Sequence, residues 1–139
     1  MAVRIRSLED AAGAAPAWDA FVQATPAASF FHLSPWAAVI RRAFGHPTHY
    51  AFAEQDGAIV GVLPLARQRT LLFGDTLAST PFCVYGGAVA ATPEAAAALE
   101  GHALGLQRRL GAPCLEYRRL AAADPGWTGR PPLYFTFRK

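Results

Sequence analysis

The densest group of residues able to contact a ligand is the nine-residue stretch from Ser79 to Gly87, STPFCVYGG. The paired Gly86 and Gly87 follow an aromatic residue, and such a pair lets the backbone turn sharply or approach a ligand closely. Tyr85 offers a ring and a hydroxyl, and Pro81 stiffens the entry. The stretch is interpreted either as a ligand-facing loop or as a β-bulge and turn at a sheet edge.

Groups that usually carry catalysis are sparse. The histidines are His32, His46, His49 and His102. None has the spacing of a metal site or a partner that would make a nucleophile and base pair. Three interpretations of Glu116 remain open: it faces solvent, it pairs with a neighbouring arginine, or it belongs to a functional site. Cys83 and Cys114 lie in apolar runs and are interpreted as core residues. The sequence therefore predicts no metal site and identifies no catalytic residue.

Cofactor-binding loops are missing as well. The chain has no Walker loop and no G-x-G-x-x-G. The R/Q-x-x-G-x-G/A loop with which many acetyltransferases hold coenzyme A is also absent. Gln68 and Arg69 lie near the right place, but Gly74 follows at the wrong spacing. Backbone amides at a helix N-terminus are what hold a pyrophosphate, so we expect no bound cofactor.

The bulk composition narrows the class of protein. The chain has 139 residues, 53% of them hydrophobic and 17% charged, which predicts one globular domain rather than a disordered segment. The net charge is +3, but the arginines are scattered in pairs and accompany no groove-reading motif, so we expect no direct contact with nucleic acid. No signal peptide and no membrane span are recognisable. The sequence predicts a soluble, cytoplasmic protein.

The first half of the chain alternates strand and helix signals. Residues 3–6 alternate apolar and basic, as a half-buried strand does. A short helix is predicted from about Pro16 to Thr25. A second, amphipathic helix is predicted with Ser34 as its N-cap and Gly45 as its C-cap. The apolar stripe of that second helix comprises Trp36, Val39, Ile40, Ala43 and Phe44.

The second half predicts a sheet and one more helix. Residues 49–54 and 58–65 read as strands joined by a turn at Asp56-Gly57, with Pro64 marking a bulge or an edge, and residues 71–73 continue the sheet. A helix is predicted from Thr92 to Gly111, with Leu99, Ala103, Leu106 and Leu110 facing inward. Further strands are predicted at 114–118 and 133–137. The fold class is α/β (α+β), with a largely antiparallel sheet and flanking helices.

Taken in order, several short motifs resemble one known family. They are Trp18, Phe31-His32, Trp36, Phe44-Gly45, Asp56-Gly57, Ile59 to Leu65, Phe73-Gly74, Ser79 with Pro81-Phe82, Tyr85-Gly86-Gly87 and Leu115 to Arg118. The series covers nearly the whole chain and resembles the bacterial FemAB-like, GNAT-related proteins found with exosortase and exopolysaccharide systems.

The resemblance implies a GNAT-like domain that forms the N-terminal half of an acyl or aminoacyl (peptidyl) transferase of cell-envelope or exopolysaccharide metabolism. It implies a truncation before a second GNAT-like half, which would be the partner that completes the site, and a small-molecule or cell-envelope precursor as substrate with an acyl or aminoacyl donor. Basic residues on the early helix of such proteins help to bind acceptor phosphates, and here Arg41 lies one position beyond the matching Ile40.

Candidate substrate-binding residues are Ser79, Pro81, Tyr85, Gly86, Gly87, His32, Trp36 and Arg41. Two alternatives remain open at this point. One is a non-catalytic interaction module that pairs through an open sheet edge, because the strand pattern runs almost to Lys139 with no helix to cover it. The other is a complete small acetyltransferase.

Overall fold

The computed structural model describes residues 2–26, 28, 30–70, 74–79 and 88–116. These ranges form a mixed α/β structure of strands and three α-helices. The strands are β1 (Arg4–Ser7), β2 (Ala51–Gln55), β3 (Ala58–Leu63), β4 (Leu65–Thr70), β5 (Gly74–Ser79), β6 (Val89–Ala90) and β7 (Cys114–Glu116). The helices are α1 (Ala15–Ala24), α2 (Pro35–Phe44) and α3 (Pro93–Leu110), and a 3₁₀ turn covers Phe30–His32.

Two sheets meet at Pro64. The first has the order β1-β2-β3-β6 and is antiparallel throughout, whereas the second has the order β4-β5-β7. Pro64 separates β3 from β4, so the chain passes from one sheet to the other at a residue that has no backbone N–H to donate. In the second sheet β4 and β5 are antiparallel, while β5 and β7 are parallel and are connected through α3. The predicted largely antiparallel sheet is confirmed.

The register places α1 and α3 on opposite faces of the first sheet. Phe52 pairs with Val62, Val62 pairs with Val89, and all three pack with residues of α1. Their neighbours along the strands, including Ala53 and Leu63, pack instead with α3. Because cross-strand partners share a face and successive residues alternate, the sheet carries one core on each side.

Helix α3 spans both sheets. Its buried Leu99, Ala103 and Leu106 share one core cluster with Leu63 of β3 and Leu77 of β5. Close approach depends on Gly61, where an added Cβ would lie 2.9 Å from Leu99 Cδ1 and 3.2 Å from Ala90 Cβ. The absence of a side chain at this position therefore lets the helix lie directly on the strand.

The turns and caps explain where the elements end. Asp56 and Gly57 both have positive φ, 55° and 79°, which fits the two-residue hairpin turn between β2 and β3. Gly45 and Gly111 end α2 and α3 in the left-handed conformation, as predicted. The Thr92 side chain accepts a hydrogen bond from the Ala95 amide and caps α3.

Helix α2 differs from its prediction in two respects. The Ser34 side chain makes no capping hydrogen bond, because its hydroxyl donates to Asp19 of α1 instead. The buried face comprises Ala37 and Ile40, whereas Val39 and Phe44 are 38% and 44% exposed. The small side chain of Ala37 lets α2 pack closely against the rest of the fold on this side. The buried face is therefore rotated by about one residue from the predicted apolar stripe.

Some predicted elements fall outside the described residues. They are the strand at 71–73, the stretch 80–87, the end of the strand at 117–118 and the last strand at 133–137. Within the ranges that are described, no helix is both long and apolar enough to cross a membrane.

Candidate functional site

The described candidate residues are distributed over both faces of the sheet. Ser79 pairs with Leu65 at the end of β5, and Leu65 packs with α3, so the register places the buried Ser79 on the α3 face. His32 and Trp36 belong to the connection and helix that follow α1, which packs on the opposite face. Ser79 therefore does not share a face with them. Pro81, Tyr85, Gly86 and Gly87 lie outside the described residues.

His32 is a buried part of the corner between α1 and α2. It is only 1% exposed, and its carbonyl oxygen accepts a 2.7 Å hydrogen bond from Trp18 Nε1. The Trp18 ring stacks on Tyr50 with centroids 5.4 Å apart and meets Phe52 edge-on at 6.5 Å. The geometry gives His32 a role in ordering this corner, because the peptide after α1 is tied to the aromatic core.

A carboxylate holds the start of α2. Asp19 of α1 accepts hydrogen bonds from the Ser34 amide and the Ser34 hydroxyl, both at 2.7 Å. A negative group at a helix N-terminus is favourable because the first amides and the helix dipole present positive charge there. Asp19 thus fixes the position of α2, and of Trp36 on it, relative to α1. Asp19 was not predicted as a functional residue, although an acidic residue one position after Trp18 was available as a signal.

An aromatic cluster surrounds Trp36. Phe30, Phe31 and Trp36 meet edge-on in all three pairs, with centroids 5.3–6.2 Å apart. Phe30 is 67% exposed, and it also lines a cavity of about 330 Å³ together with Val22 and Leu33. Trp36 Nε1 is buried, and none of the described residues supplies it with a hydrogen-bond acceptor. This corner therefore combines an exposed ring and a partly buried indole with a shallow, open cavity beside Phe30.

Arg41 is held by the loop that precedes β2. Its guanidinium donates a 2.7 Å hydrogen bond to Thr48 Oγ1. The Thr48 hydroxyl in turn donates to Glu9 Oε1 at 3.1 Å, and the same carboxylate oxygen accepts the Tyr50 amide at 3.0 Å. One donor of Arg41 is therefore used within the fold, while the side chain remains at the surface.

A second open groove lies at the other end of α1. It has a volume of about 500 Å³ and is lined by Arg6, Phe21, Phe52 and Glu54 together with small residues before and within α1. Arg6 and Glu54 form an ion pair at 3.1 Å, and the Arg6 guanidinium lies 5.6 Å from the centre of the Phe52 ring. These contacts explain the alternation of basic and apolar residues in β1.

Two histidines that the sequence analysis set aside are perturbed electrostatically. Burial is the main cause that lowers the pKa of His49; Glu9 opposes it by raising the pKa, and Arg67 makes a smaller contribution that lowers it. Burial, Arg109 and His49 lower the pKa of His102. Arg67 itself donates two hydrogen bonds to Asp75, at 3.0 and 2.7 Å. No spacing in the sequence links these residues, because His49 precedes β2, Arg67 lies in β4 and His102 lies in α3.

The described residues contain no group of three histidine, cysteine, aspartate or glutamate side chains placed to hold a metal ion.

No protein-family model and no curated protein matches the chain. Solved structures with a similar fold do match it. A GNAT family acetyltransferase of Staphylococcus aureus subsp. aureus USA300_TCH1516 superposes with a TM-score of 0.60 at 7% identity, over 99% of each chain. The fold is GNAT-like. A ribosomal-protein-alanine N-acetyltransferase of Brucella melitensis biovar Abortus 2308 gives a TM-score of 0.55 at 15% identity, over 96% of this chain and 100% of the other.

A GNAT-like fold implies an acyl-coenzyme A as the cofactor. The residues at the amino end of α3 indicate whether the pyrophosphate of that cofactor would fit there. Pro93 has no N–H, the Ala95 amide donates to Thr92 Oγ1, and the Ala96 amide donates to the Thr92 carbonyl oxygen. Glu94 adds a carboxylate to the first turn. A pyrophosphate needs open amides and positive charge at a helix N-terminus, so the amino end of α3 does not fit it.

Proposed function

We propose that this chain is the N-terminal, acceptor-side half of a FemAB-like acyl or aminoacyl (peptidyl) transferase that acts in cell-envelope or exopolysaccharide metabolism. One observation carries the proposal: a GNAT-like fold in which the amino end of α3 is closed by Thr92, Pro93 and Glu94. A scaffold of this kind retains the architecture for acyl transfer, while a second GNAT-like half of the same polypeptide supplies the groups that hold the donor.

The acceptor in this proposal binds at the corner formed by Phe30, Phe31 and Trp36. The exposed Phe30 ring supplies an apolar contact surface, and the cavity beside it accommodates a small group. The Asp19 carboxylate fixes α2 through Ser34 and thereby fixes Trp36. Arg41, one turn after Ala37 on the same helix, provides positive charge for an acceptor phosphate while Thr48 restrains its side chain.

The contribution of this half to the reaction is positioning. A bound acceptor whose amine is held in line with an acyl carbonyl reacts faster because the loss of translational and rotational freedom precedes the chemical step. No described side chain is assigned as nucleophile or general base. The sequence-based hypothesis that Pro81, Tyr85, Gly86 and Gly87 contact the acceptor remains part of this proposal, whereas Ser79 is buried on the face that α3 covers and is not assigned to the corner at Trp36.

The test is a titration of the protein with a nucleotide-activated amino sugar, followed by tryptophan fluorescence. We expect Phe30→Ala to weaken binding by about tenfold, the effect of losing roughly 1.4 kcal/mol of contact. Phe44→Ala is the matched control, because Phe44 is an exposed ring at the other end of α2. Tyr85→Ala and Gly86→Val test the loop hypothesis in the same titration.

Two results would contradict the proposal. Equal affinity of the wild type, Phe30→Ala and Phe44→Ala proteins would remove the corner from the acceptor site. Turnover of an acyl donor by this chain with no second polypeptide would show that it is not half of an enzyme, and would favour the alternative of a complete small acetyltransferase.

A further inference from the structure

The open groove between α1 and the first sheet has apolar walls on both sides. Ala17, Ala20 and Phe21 line it from the helix, where they recur at i, i+3 and i+4 and so share one side of α1. Phe52 of β2 and Ile59 of β3 line it from the sheet. Because the alanine side chains fill little of the space between helix and strands, a volume of about 500 Å³ remains, which lies within the range of small-molecule sites.

One guanidinium supplies positive charge to this groove. Arg6 lies opposite Phe52 in the register of β1 and β2, and its guanidinium lies 5.6 Å from the centre of the Phe52 ring. The contact with the ring restrains the guanidinium at the edge of the groove. The Arg6 side chain nevertheless remains 39% exposed, so a ligand in the groove can reach it.

The ion pair with Glu54 uses only part of the Arg6 guanidinium. Arg67 and Asp75 provide the comparison, because Nε and Nη2 of Arg67 donate to both oxygens of that carboxylate, at 3.0 and 2.7 Å. Arg6 instead donates a single hydrogen bond of 3.1 Å, from Nη1 to Glu54 Oε2. A guanidinium carries five N–H donors in a planar fork that matches a carboxylate. Arg6 therefore has donors left for a second carboxylate.

We propose that the groove between α1 and the first sheet binds a small monocarboxylate with an apolar body. The ligand carboxylate accepts hydrogen bonds from Arg6, and the apolar body lies against Phe21 and Ile59. The Glu54 carboxylate borders the same guanidinium, so it repels a group that carries two negative charges. The groove shares no lining residue with the cavity of the proposed acceptor corner, so the two sites are separate.

The test is a titration of the ¹⁵N-labelled protein with hexanoate, followed by amide NMR. We expect saturable shifts of the Gly13 and Gly57 amides, because both residues line the groove. Gly101, on the exposed side of α3, is the internal reference. Hexanol and hexylamine carry the same apolar chain without the carboxylate, so they should bind about tenfold more weakly or worse. No saturable shift with hexanoate, or equal affinity for hexanol, would overturn the proposal.

Two matched pairs of variants show whether hexanoate binds in the groove. Arg6→Gln should weaken binding by about tenfold, the loss expected for one charged hydrogen bond. Arg108→Gln makes the same change at an exposed residue of α3 and should leave binding unchanged. Ala17→Leu places a larger side chain in the groove and should abolish binding, whereas Ala97→Leu, at an exposed position of α3, is its control. Equal effects within either pair would contradict the proposal.

Glu54→Gln separates a ligand site from a purely structural ion pair. If Arg6 binds the ligand, removal of the competing carboxylate strengthens hexanoate binding, by roughly threefold for a partly exposed pair. If the pair only maintains the shape of the groove, Arg6→Gln and Glu54→Gln both weaken binding. Opposite signs in these two variants therefore support the site, and equal weakening overturns it. Thermal unfolding of each variant verifies that it is folded.

Discussion

Trp18 Nε1 donates a 2.7 Å hydrogen bond to the carbonyl oxygen of His32, whereas Trp36 Nε1 is buried and has no acceptor among the residues that the structure describes. The same substitution is therefore expected to destabilise the protein more at Trp18 than at Trp36. Trp18→Phe loses a buried hydrogen bond, which lowers the free energy of unfolding by about 1 kcal/mol. Trp36→Phe removes an unsatisfied donor, so we expect a change of less than about 1 kcal/mol.

Urea denaturation of the two variants measures this difference. Trp18 is fully buried and also loses ring volume, which adds to its cost. A Trp36→Phe protein that is destabilised as much as Trp18→Phe would mean that the Trp36 indole N–H does find an acceptor.

Gly61 in β3 and Gly101 in α3 provide a second matched pair of substitution sites. Gly61→Ala places a Cβ 2.9 Å from Leu99 Cδ1 and 3.2 Å from Ala90 Cβ. Since the end of the leucine side chain can move, we expect destabilisation near the lower end of the range for overpacking, about 1 kcal/mol. Gly101→Ala lies on the exposed side of α3 with no atom near its Cβ, and it stabilises by about 0.5–1 kcal/mol through helix propensity. Thermal unfolding of the two single variants shows directly whether each substitution stabilises or destabilises the protein.

Acidification should weaken the fold through His49 and His102. Their pKa values are lowered in the folded protein, mainly by burial, from the ordinary value of 6.5. The unfolded chain then binds more protons than the folded chain below about pH 6.5, so the free energy of unfolding decreases as the pH falls through that region. His102→Gln should flatten this dependence, measured by urea denaturation from pH 7.5 to 5. An unchanged slope in His102→Gln would contradict this prediction.

Acetyl-coenzyme A should not stabilise this chain. A ligand present at 100 times its Kd would raise the free energy of unfolding by about 2.7 kcal/mol, which a thermal shift detects readily. We expect no shift, because Thr92 and Pro93 leave few amides open and Glu94 repels phosphate at the amino end of α3. A saturable shift, with protection of residues 92–96 in hydrogen exchange, would show that the pyrophosphate binds there after all.

Local signals in the sequence predicted most of the fold. Asp56-Gly57, Gly45, Gly111 and Thr92 all act as predicted, because each sets its own backbone geometry or bonds within four residues. The face of α2 was predicted less well. The choice between Ala37 and Val39 as the buried position depends on which surface the helix meets, and that surface is formed by distant residues.

The candidate site was harder to predict for the same reason. Trp36 could be named from its residue type and position, whereas its restraint by Asp19 through Ser34 involves residues fifteen positions apart. His49 precedes β2 and His102 lies in α3, yet His49 contributes to the lowered pKa of His102. No periodicity in the chain indicates that these two imidazoles influence each other.

The position of α3 across both sheets has a consequence for how the protein opens. Leu99 and Ala103 share their core cluster with Leu63 before Pro64 and with Leu77 beyond it. Detachment of this one helix would expose apolar surface on both sheets at once. Amide protons in β3 and β5 should therefore exchange with solvent through a common event and at similar free energies, so that two separately hydrogen-bonded sheets behave as one cooperative unit.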